Sequence, residues 1–521
     1  MGYIEKEDIA AKHMRTFSLK SGTVYDGTGR APFVANVLVG DGRILDVGAR
    51  EGSSDTQEID CAGMAVAPGF IDVHSHSDLQ ALEGRREKLN QGVTTEVVGN
   101  CGFSSFPCGH RASELRTFAN GILHGGDAWA FDSVQQYLER AHRADLPTRV
   151  ESLVGHGSLR VAHAGMSQRA LSQKELDGML GDLDAALSGG AVGVSTGLMY
   201  APGSGAPREE LLAVCKAAAR HGKPHCTHMR SYGFGLLDAL EEQISLARES
   251  GCRLQISHLQ AVGKANRELN ARALDTIEAA HAEGVDVAFD CYPYTRGSTV
   301  MTQLLPQSAM EGGIDALLSR LSKPDSRRSI REEAAKAIAN TWDEVFVSAV
   351  ASQENAWCIG LHVEQAAEMR GIEPMEMVFR LIEEERGAVN ITVQNQAEDN
   401  LRANLAHPLS IVISDGFYVK GRPHPRLYGT FPELLSRSRN DPAWLPMETA
   451  IHKITGAPAR RFGMAQRGEL RPGYVADITV FDPREIASPA SYSAPEQAPV
   501  GILHIFRDGV DQLITPGASP S

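Results

Sequence analysis

No apolar run in this 521-residue chain approaches the length of a membrane span, so a helix threaded through a bilayer is not expected. Nor is there a basic excess. Asp and Glu outnumber Lys and Arg by 65 to 51, for a net charge of −14, and a field of that sign repels the phosphates of nucleic acids and anionic lipids. An anionic small molecule is still allowed, because a local basic pocket overrides the global sign. The eight cysteines are scattered between Cys61 and Cys358, which is not a disulfide framework; buried free thiols are the default. No glycine-rich phosphate loop follows the first β run, and there is no internal repeat or long low-complexity stretch. The start, Met1-Gly-Tyr-Ile-Glu-Lys-Glu-Asp8, is acidic and polar, unlike a secretory signal. Residues 1 to about 14 read as a loosely attached leader, and the protein reads as cytoplasmic, with neither nucleic acid nor membrane as partner.

What the chain does have is an alternation. Apolar, β-rich runs recur at Val66–Val73, Thr94–Val98, Arg149–Val154, Ala191–Ser195, Pro224–Thr227, Arg253–Ser257, Val285–Phe289 and Leu409–Ser414. Helix-period segments such as Gln173–Leu187 and Glu209–Arg220 lie between most of them. Eight such runs are the count for a (β/α)8 TIM barrel, an α/β fold. Short strands with turn signals near both chain ends predict one small β-sandwich domain from residues 15–65 and 464–518. The barrel is then 66–463. The long gap between the seventh and eighth runs predicts an inserted subdomain at about 310–400.

Barrel chemistry sits at the C-terminal strand ends, and these ends are unusually rich in ligating groups. The first run stops at His74-Ser-His76, where side chains two apart on an extended strand face the same way. Two imidazoles aimed at one point suit a metal. The second run ends at Asn100-Cys101-Gly102, the fifth at His228, the sixth at His258, the seventh at Asp290 and the eighth at Asp415. A lone cysteine or histidine of this kind is as often a core residue. The set on adjacent strands points to a site, with His156 after the third strand as a possible lining residue.

These residues together resemble the amidohydrolase superfamily and, within it, the N-acyl-D-amino-acid deacylases (D-aminoacylases). The marks are Pro68-Gly-Phe-Ile-Asp-Val-His-Ser-His-Ser-Asp78, Gly92-Val-Thr-Thr-Glu-Val-Val-Gly-Asn-Cys-Gly102, Gly193-Val-Ser-Thr-Gly-Leu-Met-Tyr-Ala-Pro-Gly203, Thr227-His-Met-Arg-Ser-Tyr232, Ile256-Ser-His258, Tyr292-Pro-Tyr-Thr-Arg-Gly-Ser298, Ser414-Asp-Gly416 and His424-Pro-Arg-Leu-Tyr-Gly-Thr-Phe431. The resemblance implies a tightly held zinc on Cys101, His228 and His258, and a weaker second site on His74, His76 and Asp415. It implies Asp415 as the proton carrier and a small N-acyl amino acid as substrate, hydrolysed to a carboxylate and a free D-amino acid. It also implies a carboxylate anchor built from Arg426, Tyr292 and Ser298. Two departures stand out. Where many relatives bridge two metals with a fourth-strand lysine, this strand reads Val192-Gly-Val-Ser-Thr-Gly197, so one zinc is the more secure expectation. Where the family often has a lysine after the sixth-strand histidine, this chain has Gln260. Lys264 is a candidate substitute by proximity in sequence, and Arg296 a candidate contact for an acidic side chain. The rival readings are a cyclic-amide hydrolase of the hydantoinase or dihydroorotase type, and a non-catalytic scaffold that keeps the fold.

Overall fold

The structure is a computed structural model, and it describes residues 16–50, 52–54, 56–125, 131–143 and 145–513. The expected leader at 1–14 lies outside the described residues. Eight parallel strands follow one another in order: β1 (Phe70–Asp72), β2 (Val93–Val98), β3 (Arg149–Gly155), β4 (Gly193–Gly197), β5 (Pro224–His228), β6 (Arg253–Ile256), β7 (Val287–Cys291) and β8 (Ser410–Val412). Each pairs with its neighbour, and β8 pairs with β7. A parallel bridge between Ser75 and Gly416, just past β1 and β8, closes the ring. The alternation of the runs is therefore a (β/α)8 barrel, with Ile71, Val73, Val97, Leu153, Cys226, Ile411 and Ile413 in one of its buried clusters.

The closing seam is held by charge. Lys88 is almost fully buried, and its ammonium contacts both Asp72 at the end of β1 and the Ser414 hydroxyl beyond β8. Ser414 also donates from its backbone N–H to Asp72 Oδ1 (3.1 Å) and from its hydroxyl to Oδ2 (2.6 Å). A buried ammonium and carboxylate with every near lone pair engaged is a workable interior pair.

A second, eight-stranded sheet takes strands from both chain ends. Phe17–Val24 pairs with Phe33–Gly40, Gln57–Asp60 and Ala65–Pro68, and the last of these pairs with Ile478–Phe481. Its two arms face one core in which Phe17 and Phe506 stack at 4.6 Å. The run Val66–Val73, expected as a single strand, is in fact divided. Ala65–Pro68 belongs to this sheet and Phe70–Asp72 to the barrel. Gly69 is the crossing point: a Cβ there would lie 2.3 Å from Thr94 Oγ1, so only glycine lets the backbone pass.

Between β7 and β8 lies a three-stranded antiparallel sheet of Arg296–Val300, Val389–Gln394 and Val345–Val350, with its own helices, including Pro324–Ala337 and Pro374–Glu384. It begins closer to β7 than the sequence pattern suggests. The polar run Arg296-Gly-Ser-Thr lacks strand alternation and gains its strand form by pairing with Val389–Gln394.

Candidate metal centre and substrate cavity

Three of the candidate residues stand on left-handed backbone, which side chains other than glycine's rarely adopt: Cys101 at φ +52°, His258 at +36° and Asp415 at +49°. Each follows a barrel strand. The strain, roughly 1–3 kcal/mol per residue, turns each side chain from the strand direction toward the barrel mouth. Neighbouring glycines make the Cys101 turn possible. A Cβ on Gly99 would lie 2.2 Å from the Leu153 carbonyl oxygen, and one on Gly102 would lie 2.8 Å from the Gly197 nitrogen. Ser195 then accepts from the Gly102 N–H (2.9 Å) and donates to the Gly99 carbonyl (2.5 Å), fixing the loop. His258 is held by its own N–H donating to Asp290 Oδ1 at 2.6 Å. Asp415 and His74 are tied by backbone, with the Asp415 N–H donating to the His74 carbonyl at 2.8 Å.

The structure brings all six predicted ligands together. Cys101 Sγ lies 3.3 Å from His74 Nε2 and 3.5 Å from His258 Nε2, and the His228 and His258 rings are 4.6 Å apart. Asp415 Oδ1 is 3.3 Å from His76 Nε2 and 3.5 Å from His74 Nε2. Two triplets, Cys101–His228–His258 and His74–His76–Cys101, have one ligand atom from each residue within 4.8 Å of the others. Both ring nitrogens of His228, Nδ1 of His258 and Nδ1 of His76 are buried without a hydrogen-bond partner in the protein. Buried polar atoms are seldom left so, and a cation held by one nitrogen of each ring answers part of the deficit. Soft thiolate with imidazole is a donor set that suits zinc.

Electrostatics agree for the two histidines of the first triplet. Burial lowers His228 to about 3 and drives His258 well below its ordinary value, with His228 adding to the shift in His258. Both are neutral imidazoles, the ligating form. His74 goes the other way: burial opposes the proton, but Cys101 and Asp290 outweigh it. Burial alone would raise Asp415, yet Arg426 and then His76 hold it well below the usual carboxylate range. It is ionised and able to accept a proton. Arg426 Nη1 lies 2.9 Å from Asp415 Oδ2, a contact of charge rather than a well-directed hydrogen bond.

A cavity of about 630 Å³ opens onto these groups. His76, Cys101, His228, His258, Asp415, Gln260, Tyr292 and Ser298 line it. Arg426 sits just behind, buried, with its guanidinium 4.7 Å over the Tyr292 ring. His424 positions it: Nδ1 accepts from the Arg426 N–H (3.0 Å), and Nε2 is 3.0 Å from the Arg296 carbonyl. Gln260 Oε1 accepts from Tyr292 and from Asn395, at 3.1 and 3.3 Å. Ser298 spends its hydroxyl on the Ile391 carbonyl (3.2 Å).

Three expectations fare differently. Arg296 is not among the lining residues; its guanidinium is stacked 3.9 Å over Phe346 and 4.5 Å over Tyr492. Lys264 does not replace the missing lysine, for its side chain is 62% exposed and pairs with Glu344 at 2.9 Å. His156 is structural, buried against Glu210 (2.7 Å), which also binds Arg160. Sequence reasoning named Asp290 at a strand end without giving it a role, and passed over Tyr200 and Tyr232. Asp290 braces His74 and His258. Tyr232 packs 5.1 Å from both the His228 and His258 rings, and Tyr200 packs 4.8 Å from His228. Asp290 had a signal, as the residue at the end of the seventh run.

Comparison with known proteins places this geometry. A family profile described as "Amidohydrolase family" matches residues 57–510. A D-aminoacylase of Alcaligenes xylosoxydans xylosoxydans is 33% identical over 94% of this chain and 93% of its own length. An N-acyl-D-glutamate deacylase of the same organism is 33% identical over 96% and 94%. The crystal structure of an N-acyl-D-glutamate deacylase from Bordetella bronchiseptica, complexed with zinc and a phosphonate inhibitor that mimics the tetrahedral intermediate, superposes with a TM-score of 0.82 at 32% identity, covering 97% of this chain and 98% of that one. Fold, strand-end residues and whole-length similarity agree: the chain belongs to the amidohydrolase family, in its D-aminoacylase branch.

Proposed function

We propose that this protein is a zinc-dependent deacylase of N-acyl-D-amino acids with neutral, apolar side chains. The observation that carries the reading is the Cys101–His228–His258 triplet facing one cavity with an ionised Asp415 beside it. The activities named for the relatives, on D-amino-acid amides, support it and supply the stereochemistry. Cys101, His228 and His258 would hold the zinc, with His74, His76 and Asp415 as a weaker neighbouring set. A zinc ion there supplies Lewis acidity for the amide carbonyl and lowers the pKa of the attacking water. Asp415 takes the water's proton and hands it to the departing nitrogen, since an amide nitrogen leaves poorly without one. Tyr292 and the amide nitrogen of Gln260, at the cavity wall, receive the substrate α-carboxylate, and Arg426 behind Tyr292 supplies the positive charge.

The preference for an apolar side chain follows from the rest of the lining. Met199, Phe234, Leu304, Leu305, Ile391 and Val393 belong to it. Arg230 also lines the cavity, but it is engaged by Glu242 (2.9 Å) and by the Ser204 and Ala206 carbonyls (2.7 Å each). Lys336 lines it too, but so does Glu333 one turn earlier on Pro324–Ala337, both exposed and of opposite charge.

The test is amine release from N-acetyl-D-leucine, N-acetyl-D-methionine, their L-enantiomers, N-acetyl-D-glutamate and a hydantoin. Turnover of the apolar D-substrates at least ~10-fold above the acidic one is expected, about 1.4 kcal/mol of discrimination. Ring opening of the hydantoin without turnover of linear amides would overturn the reading.

A further inference from the structure

A second cluster of soft ligands lies outside the cavity. Cys215 on the helix Arg208–Arg220, His225 on β5 and Cys252 just before β6 are all essentially inaccessible to solvent, and their ligand atoms lie within 4.8 Å of one another. The site is on the outer side of the barrel wall. Along β5, Cys226 packs with the inner cluster and His228 faces the cavity, whereas His225 turns to the surrounding helix layer.

The histidine is held in one tautomer. Thr196 Oγ1 donates to Thr227 Oγ1 (2.9 Å), so toward His225 Nε2, also 2.9 Å away, it offers only a lone pair. Nε2 therefore carries the ring proton. Nδ1 is left as an acceptor, and its partner is the Cys215 thiol at 3.4 Å. A hydroxyl or carboxylate that fixes the far nitrogen is the usual support of a ligating histidine.

We propose that Cys215, His225 and Cys252 bind a thiophilic d10 cation, zinc, as a structural site separate from the catalytic one. No carboxylate contributes, which disfavours magnesium and calcium. Two thiolates and a neutral imidazole exactly balance a divalent ion, and a neutral site is the kind a dry interior tolerates. Binding releases the two thiol protons to solvent and oxidises nothing. The cation ties a helix, β5 and the start of β6, and so braces the strand that carries His228.

The experiment uses the full chain carrying Cys101→Ser, which removes the only thiolate from the catalytic set, with Cys101→Ala as the reserve background. Loaded with Co(II), this protein is expected to show thiolate-to-cobalt charge-transfer absorption, lost when Cys252→Ser is added. Loaded with zinc, it should show sulfur scatterers at about 2.3 Å in X-ray absorption, a readout that needs no second substitution. A shell of nitrogen and oxygen only, with no charge-transfer band, overturns the proposal and leaves the trio as hydrogen-bonded core.

Discussion

In the proposed reaction turnover depends most directly on Asp415, an ionised carboxylate at the cavity oriented by His76 and Arg426. Asp415→Asn keeps the shape and removes the base. Turnover is expected to fall by roughly 10²–10⁴-fold with zinc content unchanged by elemental analysis; a loss smaller than about 10-fold would assign the proton to another group. Asp78 makes a different prediction. Burial pushes its carboxyl to about 8, with Gly99 N–H the partner of one oxygen and the other oxygen unpartnered. A carboxyl whose folded-state pKa stands above its unfolded value near 4 holds its proton more tightly when folded. Its contribution to stability is full below about pH 4 and is lost as pH rises toward 8. Asp78→Asn, neutral at every pH, should raise the thermal midpoint at pH 8 more than at pH 5; equal shifts at both would show that the group titrates normally. Of the site itself, His74, His76, Cys101, His228, His258 and Asp415 were legible because each terminates an apolar run. Tyr200 and Tyr232 were not, since ring-on-ring contact with His228 depends on how loops fold back. Arg296 misled for a related reason. Its stacking partners, Phe346 and Tyr492, come from the insertion and the tail, and nothing local announces them.

At the scale of elements, the barrel was readable from the count and spacing of its runs, and its helices from their periodicity: Gln173–Ser188 even carries a full capping box with Ser172 and Glu175. The strand Arg296–Val300 was not, because its β form is conferred by its partner rather than by its own alternation. The element most exposed to mutation is the seam between β1 and β8. Lys88→Met leaves Asp72 buried and without its cation. Breaking such a pair costs about 3–5 kcal/mol, to be read from urea unfolding. A change under about 1 kcal/mol would mean the pair behaves as a surface bridge. The Asp72→Asn, Lys88→Met double variant should recover part of the loss, since the unpaired charge is gone.

For the whole molecule, the terminal sheet and the barrel share one core. Ala65, Ala67 and Phe481 from the sheet pack in the same cluster as Phe70, Val93, Val412 and Phe431, and Phe70 touches Phe431 and Phe481 with ring centroids 6.1 and 6.4 Å away. Calorimetry should therefore record a single cooperative transition in which sheet and barrel melt together; two resolved peaks would show that the sheet is an independent unit. The seam has one more consequence. Asp72 and Ser414 meet across 342 residues of chain, and Asp415, the proposed proton carrier, stands immediately beyond that meeting point. A chain that stopped before β8 would carry the cysteine and all four histidines of the proposed ligand set and would still lack both Asp415 and the strand that closes the ring.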